Sequence, residues 1–297
     1  MRAPAGGPCC RKLEGMPELP EVETIARGLN RRVAGDVIEY VWLGEKPEPF
    51  KSPAKEIASM LERARIATVR RVGKHIVFDL EYPNRNGRKS SRKRGQWIVH
   101  LGMTGRLLIA SPEVEMAKHT HAVLKLASGR ELRFVDPRRF GRLAVVRIES
   151  RSVAGFVAPG DEPLDSKIDR FFTLFRGRKT PIKSALLNQK LLSGVGNIYA
   201  DESLFRAGVR PRRRAALLKR AELWKLHSAV QEVLLEAIKL GGSSVSDYVD
   251  AEGREGFFQL QHRVYGREGE PCLMCYTPIK RVIIAGRSSH YCPHCQK

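Results

Sequence analysis

The stretch Met16-Pro17-Glu18-Leu19-Pro20-Glu21-Val22-Glu23 holds the makings of a covalent catalyst. With Met16 removed, Pro17 becomes a chain terminus carrying a free secondary amine. An α-amino group titrates near ~7.7–8.0, so a useful fraction is unprotonated at neutral pH. Such an amine attacks an aldehyde-level carbon and forms a Schiff base, which splits one hard bond cleavage into easier steps. Glu18 stands beside it as a general acid or base. Taken alone, the octapeptide reads more simply as a plain helix start, with Pro20 in the first turn and Glu18, Glu21 and Glu23 complementing the helix dipole. The two readings are compatible, because a helix start holds an amine rigidly. A second group is Cys272-x-x-Cys275 followed, after sixteen residues, by Cys292-x-x-Cys295. This spacing fits a closed, tetrahedral Cys₄ zinc site with a structural role. Disulfides are the alternative, and a cytoplasmic setting argues against them. Between the pairs lie Lys280, Arg281 and Arg287, so the metal would fix a basic β-hairpin.

The elements that must position these groups follow from periodicity. Val22, Ile25, Ala26, Leu29 and Val33 keep helical spacing, with Arg27, Arg31 and Arg32 toward the end and Gly35 as terminator. Short β-rich runs are predicted at Val37–Leu43, Ile66–Val72, His75–Leu80, Trp97–Leu101, Leu107–Ala110, Ala122–Leu126, Leu132–Val135 and Leu143–Ile148, with a helix at Ala54–Ala64. Many short strands separated by turn residues indicate a β-sandwich. Near Pro159–Pro163 the pattern changes to helices: Ile168–Arg176, Ile182–Gln189, Ile198–Ala207 and a long one over Lys219–Leu240. Ser193-Gly194-Val195-Gly196-Asn197 precedes the third of these, where glycines let backbone N–H groups approach an anion such as phosphate. The predicted parts are an extension (1–15), an N-terminal β-sandwich (16–155), a helical domain (165–262) and a zinc ribbon (263–297).

The 297 residues carry 53 Lys+Arg against 32 Asp+Glu, a net charge of +21. That excess points to a polyanionic partner, nucleic acid before membrane. No apolar run of about 18 residues is present, so no transmembrane helix is expected. Residues 1–15 lack the apolar centre of a signal peptide, which implies a cytoplasmic location. The insertion Glu81–Gln96 carries Arg85, Arg88, Lys89, Arg92, Lys93 and Arg94. It reads as a solvated basic loop that would add sequence-blind attraction to DNA.

Five motifs taken together resemble the formamidopyrimidine-DNA glycosylases, bacterial enzymes that act on 8-oxoguanine and cut abasic sites. They are Pro17–Glu23, His100-Leu101-Gly102-Met103-Thr104-Gly105, Asp136-Pro137-Arg138-Arg139-Phe140-Gly141, Gly194-Val195-Gly196-Asn197-Ile198-Tyr199-Ala200, and the cysteine module ending Cys295-Gln296-Lys297. The resemblance covers Pro17 to Lys297. It implies an α+β fold: an N-terminal β-sandwich with a catalytic N-terminal helix, a C-terminal helix–two-turn–helix domain, and a Cys₄ zinc ribbon. It implies that Pro17 attacks C1′, Glu18 is the catalytic acid, Lys74 serves β-elimination, and Arg287 binds phosphate and serves δ-elimination. Met103, Arg138 and Phe140 match residues that fill the gap left by the extruded nucleotide. Read alone, Met103 and Phe140 would be core residues and Lys74 a surface lysine. Asn197 and Lys183 match phosphate contacts, and His119, Arg138 and Arg178 match DNA contacts, although His119 reads also as an ordinary loop histidine. Ser243–Tyr265 resembles the loop that covers the oxidised base. The implied partner is damaged double-stranded DNA; the implied cofactor is one structural Zn²⁺, with no small-molecule cofactor and no membrane. A monomer in the bacterial cytosol and nucleoid is expected.

Two departures stand out. An extension before Pro17 makes its nitrogen an amide, which forms no Schiff base; either translation begins at Met16 and that methionine is removed, the preferred reading, or a protease exposes Pro17, or the full-length chain is inactive as a lyase. The Glu81–Gln96 insertion is longer than the tight hairpin expected there. The nearest rival, an endonuclease VIII-like glycosylase for oxidised pyrimidines, typically has Gly where this chain has Leu19 and lacks the full Met103, Arg138 and Phe140 set. A non-catalytic zinc-ribbon DNA binder would explain charge and cysteines but has no need of Pro17, Glu18 and Lys74. An RNA-associated protein explains only the charge.

Overall fold

The computed structural model describes residues 16–83, 94–148, 155–244, 249–251 and 253–297. The extension 1–15 and the insertion's Arg85, Arg88, Lys89, Arg92 and Lys93 lie outside the described residues.

Helix α1 (Leu19–Val33) starts at the predicted first turn, with Pro20 where a missing N–H costs nothing. Its apolar stripe Val22, Ile25, Ala26, Leu29 and Val33 is buried in the core of a β-sandwich. Leu19, one turn earlier, is buried instead in the core of the helical module. The helix is thus shared between two cores. Burying one such aliphatic side chain is worth ~1.5–3 kcal/mol, so both attachments are strong.

The sandwich consists of two four-stranded antiparallel sheets. One has β1 (Ile38–Leu43), β6 (Thr120–Leu126), β7 (Glu131–Val135) and β5 (Arg106–Ala110) in that spatial order. The other has β2 (Arg65–Val72), β3 (His75–Glu81), β4 (Arg94–His100) and β8 (Arg142–Ile148). Inward-facing Phe78, Trp97 and Phe134 are fully buried, and the first two rings meet at 4.7 Å. Strand β4 begins three residues before the predicted start, because Arg94, Gly95 and Gln96 pair with Glu81, Leu80 and Asp79. Arg94 is therefore a strand residue and not part of a basic loop. Helix α2 (Ala54–Leu61) stops short of Ala64: Glu62 is extended, Arg63 has φ 64°, and the Ala64 carbonyl accepts from Ile38 N–H at 3.0 Å.

The helical module comprises α3 (Ile168–Phe175), α4 (Ile182–Leu186), α5 (Asn197–Arg206) and α6 (Arg220–Lys239). Helix α4 ends earlier than its apolar pattern suggests because Gln189 is taken by the following turn. Its amide donates to Val195 O at 2.8 Å and accepts from Gly194 N–H at 2.9 Å. A two-stranded hairpin, β9 (Lys280–Ile284) and β10 (Arg287–Tyr291), completes the chain with a small core around Phe205, Val264 and Ile279. No helix among the described residues is long and apolar enough to cross a membrane.

Candidate active site

Pro17 and Glu18 sit where two helix N-termini converge, at the junction of sandwich and helical module. Leu19 N–H, the first of α1, donates to Gly194 O at 3.0 Å. Glu18 Oε1 accepts from Ile198 N–H, in the first turn of α5, at 3.1 Å. Gly196 must be glycine: a Cβ there would lie 2.2 Å from Glu18 Cδ. Gly194, with φ +96°, leaves room for Leu19 in the same way. The glycine turn read as a phosphate cradle thus receives an anion from within the chain, the Glu18 carboxylate. Burial raises the Glu18 pKa to about 7, a rise that the nearby Lys74 charge and the Ile198 and Tyr199 N–H groups restrain. Glu18 Oε2 is buried and has no hydrogen-bond partner among the described residues. That leaves one oxygen for a proton and for a substrate.

The raised pKa has a cost to stability. A folded-state value above the ordinary 4.5 means that the stabilising contribution is complete below pH 4.5 and is lost as pH rises through about 7. The ionisation penalty at pH 8 is of order 3 kcal/mol at 1.36 kcal/mol per pH unit. Glu18→Gln should therefore melt several degrees above the parent protein at pH 8, with the gap narrowing at pH 5. Melting curves at both pH values test this; a pH-independent gap would show that Glu18 ionises as it does in the unfolded chain.

Glu21, which sequence reasoning assigned only to the helix dipole, is a buried hub. One carboxylate oxygen accepts from Glu18 N–H at 2.8 Å; the other takes Tyr199 Oη–H and Ser243 N–H, the latter at 2.7 Å. It joins α1 to α5 and to the root of the Ser243–Tyr265 segment, of which residues 245–248 and 252 lie outside the described residues. Lys74 follows the β2–β3 turn at Gly73 (φ +58°) and is half-buried. Burial lowers its pKa, against the opposing charges of Glu18 and Glu21 and with help from Arg287. Arg71 clamps this turn, donating to Gly73 O at 3.1 Å, to Glu23 at 2.7 Å and to Glu162 at 2.8 Å. Neither Glu21 nor Arg71 announces itself in sequence.

Met103, Arg138 and Phe140 lie on two loops that stack on each other. Asp136 is fully buried and accepts from Thr104 Oγ1–H (2.5 Å), Gly141 N–H (2.7 Å) and Arg138 N–H (3.3 Å). Gly102 (φ +65°) lets the loops touch, since a Cβ would be 2.6 Å from Gly141 N. Phe140 is 45% exposed and the Arg138 guanidinium lies over its ring at 4.9 Å. Phe140 is therefore an exposed ring and not a core residue. Met103 is half-buried beside them. His119 is exposed in a left-handed conformation (φ 70°), and its carbonyl accepts from Asp136 N–H at 3.0 Å.

On the helical side, Asn197 is half-buried at the start of α5 and its Oδ1 is unpartnered among the described residues. Arg178 is exposed after α3, with its Nε–H bonded to Leu174 O. Lys183 departs from expectation. Its side chain is fully buried, paired with Asp201 at 2.6 Å and donating to Ser288 O at 2.6 Å, so it presents nothing to a phosphate. Arg287 is exposed at the first position of β10.

The four sulfurs of Cys272, Cys275, Cys292 and Cys295 lie within 4.8 Å of one another, at 3.4 Å for Cys275–Cys292 and 3.9 Å for Cys272–Cys295. Disulfide bonds would need ~2.05 Å, whereas a zinc tetrahedron with ~2.3 Å bonds has edges of ~3.8 Å. The set fits Zn²⁺, and the chain has a structural zinc site. Met274 and Cys295 N–H groups donate to Cys272 and Cys292 Sγ at 3.4 Å each, as thiolates require. Cys292→Ser should lose the metal and weaken DNA binding at least tenfold, as a ligand loss unfolds the hairpin. Metal analysis and a binding titration check this, and full zinc with unchanged affinity would refute it.

Residues 16–143 match the formamidopyrimidine-DNA glycosylase N-terminal domain, 159–249 its H2TH domain, and 269–297 the zinc finger found in FPG and IleRS. The chain is 46% identical to the formamidopyrimidine-DNA glycosylase of Solibacter usitatus over 95% of its own length and 100% of that protein's. The corresponding protein of Desulforamulus reducens is 42% identical, with 95% and 99% covered. Among solved structures, the MutM (FPG) protein of Thermus thermophilus superposes with a TM-score of 0.78 at 41% identity, covering 94% and 98%. A Lactococcus lactis FPG mutant in complex with Fapy-dG-containing DNA gives 0.82 at 31%, covering 95% and 100%. With glycine turns, buried carboxyl and cysteine tetrad all present, the chain belongs to the formamidopyrimidine-DNA glycosylase family.

Proposed function

We propose that this protein is a base-excision repair enzyme, a bifunctional DNA glycosylase and abasic-site lyase for oxidised purines. The observation that carries the reading is Glu18: a buried carboxyl able to hold a proton near neutrality, next to Pro17 and within the charge field of Lys74. The Pro17 amine attacks C1′, the bond from C1′ to the base breaks, and the base leaves with the electron pair and a proton that Glu18 supplies. Glu18, now ionised, takes the proton that the Pro17 nitrogen loses and passes it to O4′ as the C1′–O4′ bond opens; the resulting iminium acidifies the C2′ proton. Lys74, its pKa lowered, takes that proton, and the C3′–O3′ bond breaks with departure of the 3′ phosphate. A second proton loss breaks C5′–O5′, and Arg287 holds the departing 5′ phosphate. Extruding the nucleotide costs a few kcal/mol, which Met103, Phe140 and Arg138 offset by filling the gap and pairing the orphaned base. His119, Arg178 and Asn197 hold the flanking backbone. The zinc fixes the hairpin and performs no chemistry.

The division of labour follows the expected parts, sandwich (16–155), helical module (165–262) and ribbon (263–297), with the protein acting as a monomer in the bacterial cytosol. The test is excision from duplexes carrying 8-oxoguanine, a formamidopyrimidine or an oxidised pyrimidine, each opposite its normal partner. Faster release of both purine lesions, with strand cutting at the same site, is expected. Preferential release of the pyrimidine would assign the chain to the endonuclease VIII-like branch, and binding without release would make it a binder.

A further inference from the structure

The buried pair Lys183–Asp201 is unused by the chemistry above, and its partners lie in the strand that carries Arg287. Residues two apart in a strand present their backbone groups to the same edge, and β10 is an edge strand of a two-stranded sheet. On that edge Ser288 O accepts from Lys183 Nζ at 2.6 Å and His290 N–H donates to Asp201 Oδ2 at 2.9 Å. The His290 ring meets the same oxygen through Nδ1 at 3.3 Å. Two side chains thus replace the missing neighbour strand. Lys183, Asp201 and Ser289 are 0% exposed and His290 is 2% exposed, so water does not compete for these bonds.

The anchor comes from α5. Ile198, in its first turn, holds Glu18, and Asp201, three residues on, holds β10. A position three residues along a helix is on the same face one turn away. The spacing between Glu18 and Arg287 is therefore set by a single helical turn and one strand edge.

We propose that Lys183 and Asp201 are positioning residues for Arg287, fixing the height of β10 so that the guanidinium meets the phosphate released during strand cutting. This rests on the assignment of Arg287 to that phosphate. Removing Asp201 alone would leave a buried cation unpaired and unfold the region. The informative variant is the uncharged double substitution Lys183→Met/Asp201→Asn, made in the full protein beginning at Pro17 and compared with Arg287→Ala. Zinc content, base release and the ratio of δ- to β-elimination products on an abasic-site duplex are measured. The double variant should keep its zinc and lower the δ-to-β ratio roughly tenfold, as ångström-scale misplacement does, while base release falls far less. An unchanged ratio beside a lowered one in Arg287→Ala would overturn the positioning role. Zinc loss in the double variant would overturn it too, because the pair would then be holding the ribbon together. An unchanged ratio in Arg287→Ala itself would instead remove the assignment of Arg287 on which the inference rests.

Discussion

Protein that begins at Pro17 should be trapped covalently by borohydride on an 8-oxoguanine duplex, and protein that retains residues 1–15 should not be trapped at all. The expected contrast is complete, because it turns on one bond. A proline nitrogen acylated by a preceding residue is a tertiary amide with no lone pair to give and no proton to lose. A terminal proline nitrogen is an amine with a pKa near ~7.7–8.0. Pro17 and Glu18 are both buried, and Glu18 Oε2 has no partner among the described residues, so the amine has an acid waiting beside it. Mass mapping of the adduct gives the attachment point. An adduct on Lys74 in either form would replace Pro17 as nucleophile, and trapping of the extended chain at Pro17 would require that the extension had been cut during the assay.

Gly196→Ala should slow base release by about 100-fold while leaving zinc content and overall folding intact. A methyl group at this position would lie 2.2 Å from Glu18 Cδ and 2.4–2.5 Å from its two oxygens. The carboxylate cannot be compressed and must move, giving up its bond from Ile198 N–H. Displacement of a reacting group by an ångström costs on the order of 10²-fold. Single-turnover base release, read beside circular dichroism, measures the effect. A normal rate in Gly196→Ala would mean that Glu18 does its work from another position.

The sequence made some of this legible and hid the rest for identifiable reasons. The α1 stripe, the alternating strands and the Cys-x-x-Cys pairs are local periodicities, and local periodicity is what a sequence displays. The glycines at 194 and 196 were visible as a helix-start turn, but their real neighbours are Leu19 and Glu18, far back in the chain. Arg71, Asp201 and Glu202 stand in the sequence as ordinary charged residues, Glu21 as a helix-start acid, and Asp136 as one letter of a motif with no visible task. Each is buried by a partner distant in the chain; Glu202, for example, accepts from Arg263, Val264 and Tyr265 N–H groups at 2.9, 3.0 and 2.9 Å. Lys183 entered through the resemblance, as a match to a phosphate contact, and nothing near it in the sequence reveals that Asp201 pairs with it.

Helix α1 belongs to two cores at once, with Leu19 in one and Val22 to Val33 in the other. In mechanical terms it is a tie rod: neither lobe can withdraw from the other without pulling apolar surface into water. Pro17 stands immediately before the rod's N-cap, Glu18, so an amine placed there would be held by both lobes at once.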